Sequence, residues 1–171
     1  MANEYVLDGY NIIHKHRDLE KIMDSGPEGP ERSRQKLLHL LAVRFADKKV
    51  RVSVIFDGRY PGLSTQSRFP GINAKYSLAP QTADEVIMSY VENARKPRGI
   101  TVVTSDRQII NTLDKSGCRF ILSEEFVRRF LSADRTEDPD RDEAIRHRKL
   151  DEHQVREWME YFGLKDDPEI E

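Results

Sequence analysis

The sequence predicts an α/β fold built on a parallel sheet, and three observations carry that expectation. Short segments rich in β-branched residues recur along the chain, segments with helical spacing of apolar residues separate them, and four of the five strand segments are largely apolar. Strands alternating with helices make βαβ units, and parallel strands covered on both faces lack a polar side.

Taken in order, the strands are "YVL" (5–7), "VRVSVIF" (50–56), "INAKYS" (72–77), "ITVVT" (100–104) and "CRFIL" (118–122). The third is the most mixed and reads as an edge strand. A less regular helix is expected from about Ile12 to Met23. Regular stripes follow: Leu37, Leu38, Leu41 and Phe45; then Val86, Ile87, Tyr90, Val91 and Ala94; then Ile109, Ile110 and Leu113; then Phe126, Val127, Phe130 and Leu131. Loops are marked by "SGPEGP" (25–30) and by the Gly- and Pro-bearing run 57–71. Residues 132–150 are charged and nearly free of large apolar groups, so they read as a linker or exposed helix. Val155, Trp158, Met159 and Phe162 then form a last amphipathic stripe, ended by Gly163. The expected organisation is a domain over 1–134 and a charged linker with a C-terminal amphipathic helix over 135–171.

Composition narrows the class. One cysteine, Cys118, precludes an intramolecular disulfide, and neither a signal-peptide pattern nor a bilayer-length apolar run is present. A soluble, cytoplasmic protein is expected. The net charge of −2 averages two unlike parts: residues 1–134 hold 21 Lys and Arg against 17 Asp and Glu, and residues 135–171 hold 7 against 13. The front part, at +4, permits a polyanionic partner.

The strand ends carry the chemistry. Asp8 closes the first strand, Asp57 the second, and "VTSD" puts Thr104, Ser105 and Asp106 where the fourth strand meets its helix. Asp84 and Glu85 open the helix after the third. In a parallel sheet these ends share one edge, where such folds place their sites. Singly, Asp84 and Asp106 suit helix caps and Asp57 suits a turn with Gly58. Together, clustered carboxylates raise one another's pKa unless a cation neutralises them, and oxygen ligands select a hard ion, Mg²⁺ or Mn²⁺. Such an ion assists phosphodiester hydrolysis. Asn11 and Ser105 suit the orientation of a carboxylate or of water. No Walker P-loop, dinucleotide glycine fingerprint, nucleophile elbow or convincing zinc spacing is present. "HKH" at 14–16 reads as solvated helix surface.

In "VLDGYNII", "SVIFDG", "GINAKYS" followed by "TADEVI", and "VTSDRQI", the chain resembles the YacP-like NYN-domain family, a branch of the PIN-like ribonucleases. The likeness runs in order over about residues 4–131, including "SEEFVRRFL". It implies a PIN-like three-layer fold with strand order 3-2-1-4-5, an acidic metal pocket and endoribonuclease chemistry leaving 5′-phosphate and 3′-hydroxyl ends. By motif, Asp8 matches the first metal acid, Asn11 the polar residue of the opening motif, Asp84 the central acid and Asp106 the late one. Asp57 matches a strand-two carboxylate at the pocket rim. "RQIINT" after Asp106 lacks a second acid, which favours one held ion over two.

For RNA, Arg59 follows the Asp57 turn, Arg68 falls in the long loop and Arg107 follows Asp106, so all three are expected to reach a phosphate near the acidic edge. Arg32, Arg34 and Lys36 open the helix after the Gly/Pro loop. Tyr10, Tyr60 and Phe69 are the aromatics available for stacking on unpaired bases. Arg32, Lys36 and Phe69 read better as ordinary surface charge and core cover. Neutralising the four acids takes the front part from +4 to +8. The leading expectation is a metal-dependent endoribonuclease acting on single-stranded RNA, with the ribosome as a candidate partner. The alternative is a non-catalytic RNA- or ribosome-binding module. A phosphoacceptor receiver domain fits poorly, since the first strand ends in one acid and "CRFIL" ends without a lysine.

Overall fold

The computed structural model describes residues 4–58, 69 and 71–132. The expected linker beyond residue 132, the Trp158 stripe, and Arg59, Tyr60 and Arg68 lie outside the described residues.

Five parallel strands form one sheet in the order β3-β2-β1-β4-β5, as expected. They are β1 (Glu4–Asp8), β2 (Arg51–Phe56), β3 (Ile72–Tyr76), β4 (Ile100–Val103) and β5 (Arg119–Ile121). Each lies within two residues of its sequence-based bounds. Register pairs Asp8 with Ile55 and Leu7 with Val103, so the carboxyl ends of β1, β2 and β4 lie side by side.

Helices cover both faces. On one side α1 (Gly9–Lys15), α2 (Arg17–Met23), α3 (Gly29–Phe45) and α6 (Ser123–Phe126), the last continued by a π-helical turn Val127–Leu131, bury Leu7, Val54, Phe56 and Val103 of the sheet. On the other, α4 (Ala83–Glu92) and α5 (Arg107–Ser116) bury Val6, Ile55, Ile100 and Val102. Adjacent residues on a strand thus feed opposite cores, as the two-residue period requires.

Two expectations are corrected. The segment Ile12–Met23 is two helices, because His16 takes an extended backbone (φ −106°, ψ 109°). Its Nδ1 accepts from the Leu19 N–H at 3.4 Å, so "HKH" holds a cap between helices as well as surface histidines. β5 is a three-residue edge with Phe120 41% exposed, so it is not covered on both faces like β1 and β4.

Gly9, directly after Asp8, is fixed by packing. A Cβ there would lie 2.3 Å from the Phe56 ring, so only glycine lets α1 start against β2.

Candidate active site at the carboxyl edge of the sheet

Asp8 is the N-cap of α1, and its Oδ1 accepts from the Asn11 N–H at 3.2 Å. The side chain is mostly buried, and that burial pushes its pKa up to about 6. The Asn11 N–H works against the rise, while Asp84, Asp57 and Asp106 add to it. Three acids distant in sequence thus bear on Asp8 at one edge.

Asp84 stands in the first turn of α4 without capping it. Thr82 and Glu85 form a reciprocal capping box, Glu85 N–H to Thr82 Oγ1 at 3.3 Å and Thr82 N–H to Glu85 Oε2 at 3.0 Å. Among the described residues nothing hydrogen-bonds the Asp84 carboxylate. Its pKa is raised by burial first, then by Asp106, Asp57 and Glu85.

Asp106 is the N-cap of α5, accepting through Oδ1 from the Gln108 and Ile109 N–H groups at 2.7 and 3.4 Å. The Asp106 N–H donates to the buried Thr104 hydroxyl at 3.1 Å. Asp57 accepts through Oδ1 from the Ser77 hydroxyl and the Ala83 N–H, both at 2.8 Å, which joins the ends of β2 and β3 to the start of α4. None of the four acids is in an ion pair among the described residues.

The neutral residues link the elements. The Asn11 side-chain oxygen accepts from the Ser105 N–H at 3.3 Å. The Ser105 hydroxyl accepts from the Ser123 N–H at 3.0 Å and donates to Glu124. Glu124 also pairs with Lys15 at 2.9 Å. The Ser105 hydroxyl and the Lys15 ammonium together hold the Glu124 carboxyl down at about 2. Glu124 and Lys15 were not among the residues read from sequence. The signal was available: "SEE" follows a strand whose carboxyl end lies on the same edge, as "TADE" follows β3.

Of the proposed RNA contacts, Arg107 opens α5 beside Asp106, is exposed and makes no ion pair among the described residues. Arg34 is committed elsewhere, to Glu31 and the Tyr10 hydroxyl. Tyr10 also packs edge-on against Phe56 at 5.5 Å between ring centroids, and Phe69 lies against the core.

The donor set fits a hard divalent ion in charge and ligand type: carboxylates without a soft ligand, carrying charge that no cation of the described chain offsets. No group of three His, Cys, Asp or Glu side chains among the described residues forms a ready metal-binding cluster. The fit is therefore one of charge and ligand type, not of a preformed cluster.

A family model of the YacP-like NYN domain matches residues 5–162. A crystal structure of the W164L mutant of Rae1 (YacP) from Bacillus subtilis superposes with a TM-score of 0.67 over 91% of both chains at 21% identity. A second crystal structure of Rae1 (YacP) from Bacillus subtilis gives 0.62, over 93% of this chain and 83% of that one, at 22% identity. At such identity the likeness establishes the fold. No curated protein sequence matches the chain. With the family model spanning the sheet, its helices and the acidic edge, the chain belongs to the YacP-like NYN domain family, within the NYN/PIN-like nucleases.

Proposed function

We propose that the protein is a metal-dependent endoribonuclease that hydrolyses phosphodiester bonds of single-stranded RNA at the carboxyl edge of the sheet. The observation that carries this reading is the convergence of Asp57, Asp84 and Asp106 on Asp8 at one edge, with none of the four in an ion pair among the described residues. Asp8, Asp84 and Asp106 would hold Mg²⁺ or Mn²⁺, directly or through water. When bound, the ion supplies Lewis acidity and positive charge for in-line attack of water on the scissile phosphate.

The chain's own residues do the rest. Asp84 offers a carboxylate with no structural duty, because the Thr82–Glu85 box caps α4 in its place. Asp106 and Asp8 each spend one oxygen on a helix N-terminus, which fixes the direction of the other. Asp57 holds β2, β3 and α4 in register at the rim. Asn11 and Ser105 keep the β1 and β4 ends together. Arg107, with Arg59 and Arg68, seats the RNA backbone, and the products carry 5′-phosphate and 3′-hydroxyl ends. The nuclease activity is assigned to the domain over residues 1–134. No helix among the described residues is long and apolar enough to cross a membrane. Action in the cytoplasm, on free RNA or on RNA presented by a ribosome, follows from this reading.

The test is cleavage of a labelled single-stranded RNA in Mn²⁺, Mg²⁺ or EDTA by wild type and Asp84→Asn. The reading requires metal-dependent cutting that the mutant loses. Binding without cutting by wild type would favour a non-catalytic RNA- or ribosome-binding module, or a substrate that a partner such as the ribosome must present. Neither binding nor cutting would leave the acidic edge as architecture alone.

A further inference from the structure

A cleft of about 700 Å³ runs along α4, from Gln81 just before its start to the amino edge of the sheet at Glu4 and Ile100, and none of the four acids lines it. Its floor is Glu4, only 4% exposed and yet fully engaged. Glu4 Oε1 accepts from the Tyr90 hydroxyl and, at 3.2 Å, from the Ser53 hydroxyl, and Oε2 pairs with Arg51 at 3.2 Å. The buried carboxylate so partnered holds one guanidinium nitrogen of Arg51, Nη2, while the Arg51 side chain remains 79% exposed at the mouth. Arg95 and Lys96 line the same cleft, are exposed, and pair with no carboxylate among the described residues. Lys75 sits over the Tyr90 ring, its ammonium 4.5 Å from the centroid. Set against the single charge of Glu4, the lining is cationic.

The end of α4 does not oppose an anion as strongly as a bare helix terminus would. The Ser89 carbonyl accepts from both the N–H and the side-chain amide of Asn93, at 3.1 and 2.8 Å, and the Val91 carbonyl accepts from Ala94 at 3.1 Å. Those carbonyls are covered, and the cations Arg95 and Lys96 follow directly. Ser89, Asn93 and Gln81 add neutral polar groups along the wall.

The position matters as much as the charge. One helix carries Asp84 in its first turn, at the acidic edge, and ends beside Arg95 and Lys96, the charged end of this cleft. Along β1, the four steps from Asp8 back to Glu4 amount to about 13 Å at ~3.3 Å per residue. A strand of RNA leaving the acidic edge along α4 meets the cleft within a few nucleotides.

We infer that the cleft bounded by Arg51, Arg95 and Lys96 is a second RNA site, which takes the phosphodiester backbone a few nucleotides away from the bond being cut. This inference rests on the nuclease reading and deepens it: it makes the preferred substrate a single strand long enough to span both edges of the sheet. Specificity for sequence is not required, because backbone charge supplies the attraction.

The test uses the full chain and the double variant Arg95→Gln/Lys96→Gln, both at exposed positions, which leaves Arg51 to satisfy Glu4. Cleavage in Mn²⁺ is measured on oligouridylates of about four and about sixteen nucleotides, lengths that bracket short and long single-strand sites. The expected result is a KM for the longer RNA raised about tenfold, with kcat and the cleavage of the shorter RNA unchanged. Binding of the longer RNA, measured by fluorescence anisotropy in an Asp84→Asn background, should also lose salt dependence. Its log–log slope should shrink by about 1.4, since each lost phosphate contact on a single strand is worth ~0.7. An unchanged KM and slope for the longer RNA overturn the site. So does an equal loss on both lengths, which would place the effect at the acidic edge. If wild type neither cuts nor binds either RNA, the nuclease reading fails and this inference falls with it; if it binds without cutting, the salt slope of the longer RNA alone decides the site.

Discussion

The side-chain oxygen of Asn11 accepts a hydrogen bond from the Ser105 N–H at 3.3 Å, across a separation of 94 residues. It joins the helix that Asp8 caps to the turn that positions Asp106, so two of the proposed metal acids are held by one amide. Replacing Asn11 by Ala leaves a half-buried N–H without its partner, at a cost of about 1 kcal/mol. Asn11→Ala should therefore melt slightly earlier than wild type and cut RNA at least several-fold more slowly. Thermal melts and single-turnover cleavage on the same preparation check both halves.

Asp57 and Asp84 should respond in opposite ways to truncation. Asp57 Oδ1 accepts two hydrogen bonds that tie β2, β3 and α4 together, and Asp57→Ala would strand both donors. A loss of about 1–3 kcal/mol is expected. Asp84 accepts no hydrogen bond among the described residues and sits among like charges, so Asp84→Ala should keep or raise stability while abolishing cleavage. Urea unfolding of the two variants beside wild type separates the architectural acid from the catalytic one.

Stability without metal should fall as pH rises through the Asp8 titration. Asp8 has a folded pKa of about 6, above the ordinary carboxylate value of 3.8, so the folded state binds more protons between those values. Its penalty is absent below about pH 4 and fully present above about pH 6. Asp8→Asn, which keeps a capping oxygen, should stabilise the metal-free protein at pH 7 by an amount on the order of 2 kcal/mol. The gain should vanish at pH 4 and shrink when Mg²⁺ is added. Melting curves at the two pH values, with and without Mg²⁺, give the comparison.

Glu124 shows the reverse sign. The Ser105 hydroxyl and Lys15 depress its carboxyl to about 2, so its support is present above about pH 4.5 and lost as pH falls toward 2. The carboxylate is largely exposed, which keeps the global effect small. The local effect is larger: Glu124→Gln should loosen the β4–α5 junction and speed hydrogen exchange at the Ser105 and Ser123 amides, with strand amides unaffected. Exchange read by NMR at neutral pH would show it.

Most of the sheet and its acidic edge was legible because periodicity and topology suffice for both. Apolar runs mark the strands, and a parallel sheet sends every strand's carboxyl end to one side, so Asp8, Asp57, Asp84 and Asp106 could be grouped before any coordinates. The helix break at His16 was hidden, because an imidazole acting as a cap looks like a surface histidine in sequence. The exposure of β5 was hidden for a related reason: an apolar pattern states what can be buried, while position at the sheet edge decides what is. Glu124 was hidden because β5, the strand it follows, is only three residues long and carries no acid at its own carboxyl end to mark the edge. Which acids carry structural duty also waited for the geometry. The capping box that frees Asp84 depends on which oxygen of Glu85 meets which N–H.

The coupled acidic cluster is the centre of the proposed chemistry, and the carboxyl carbon of Asp8, followed by NMR through a pH titration with and without Mg²⁺, tests it most directly. The predicted result is a midpoint near 6 without metal, moving down when Mg²⁺ is added and also in Asp84→Asn. A midpoint at the ordinary 3.8, indifferent to both Mg²⁺ and Asp84, would contradict the cluster and with it the nuclease site built upon it.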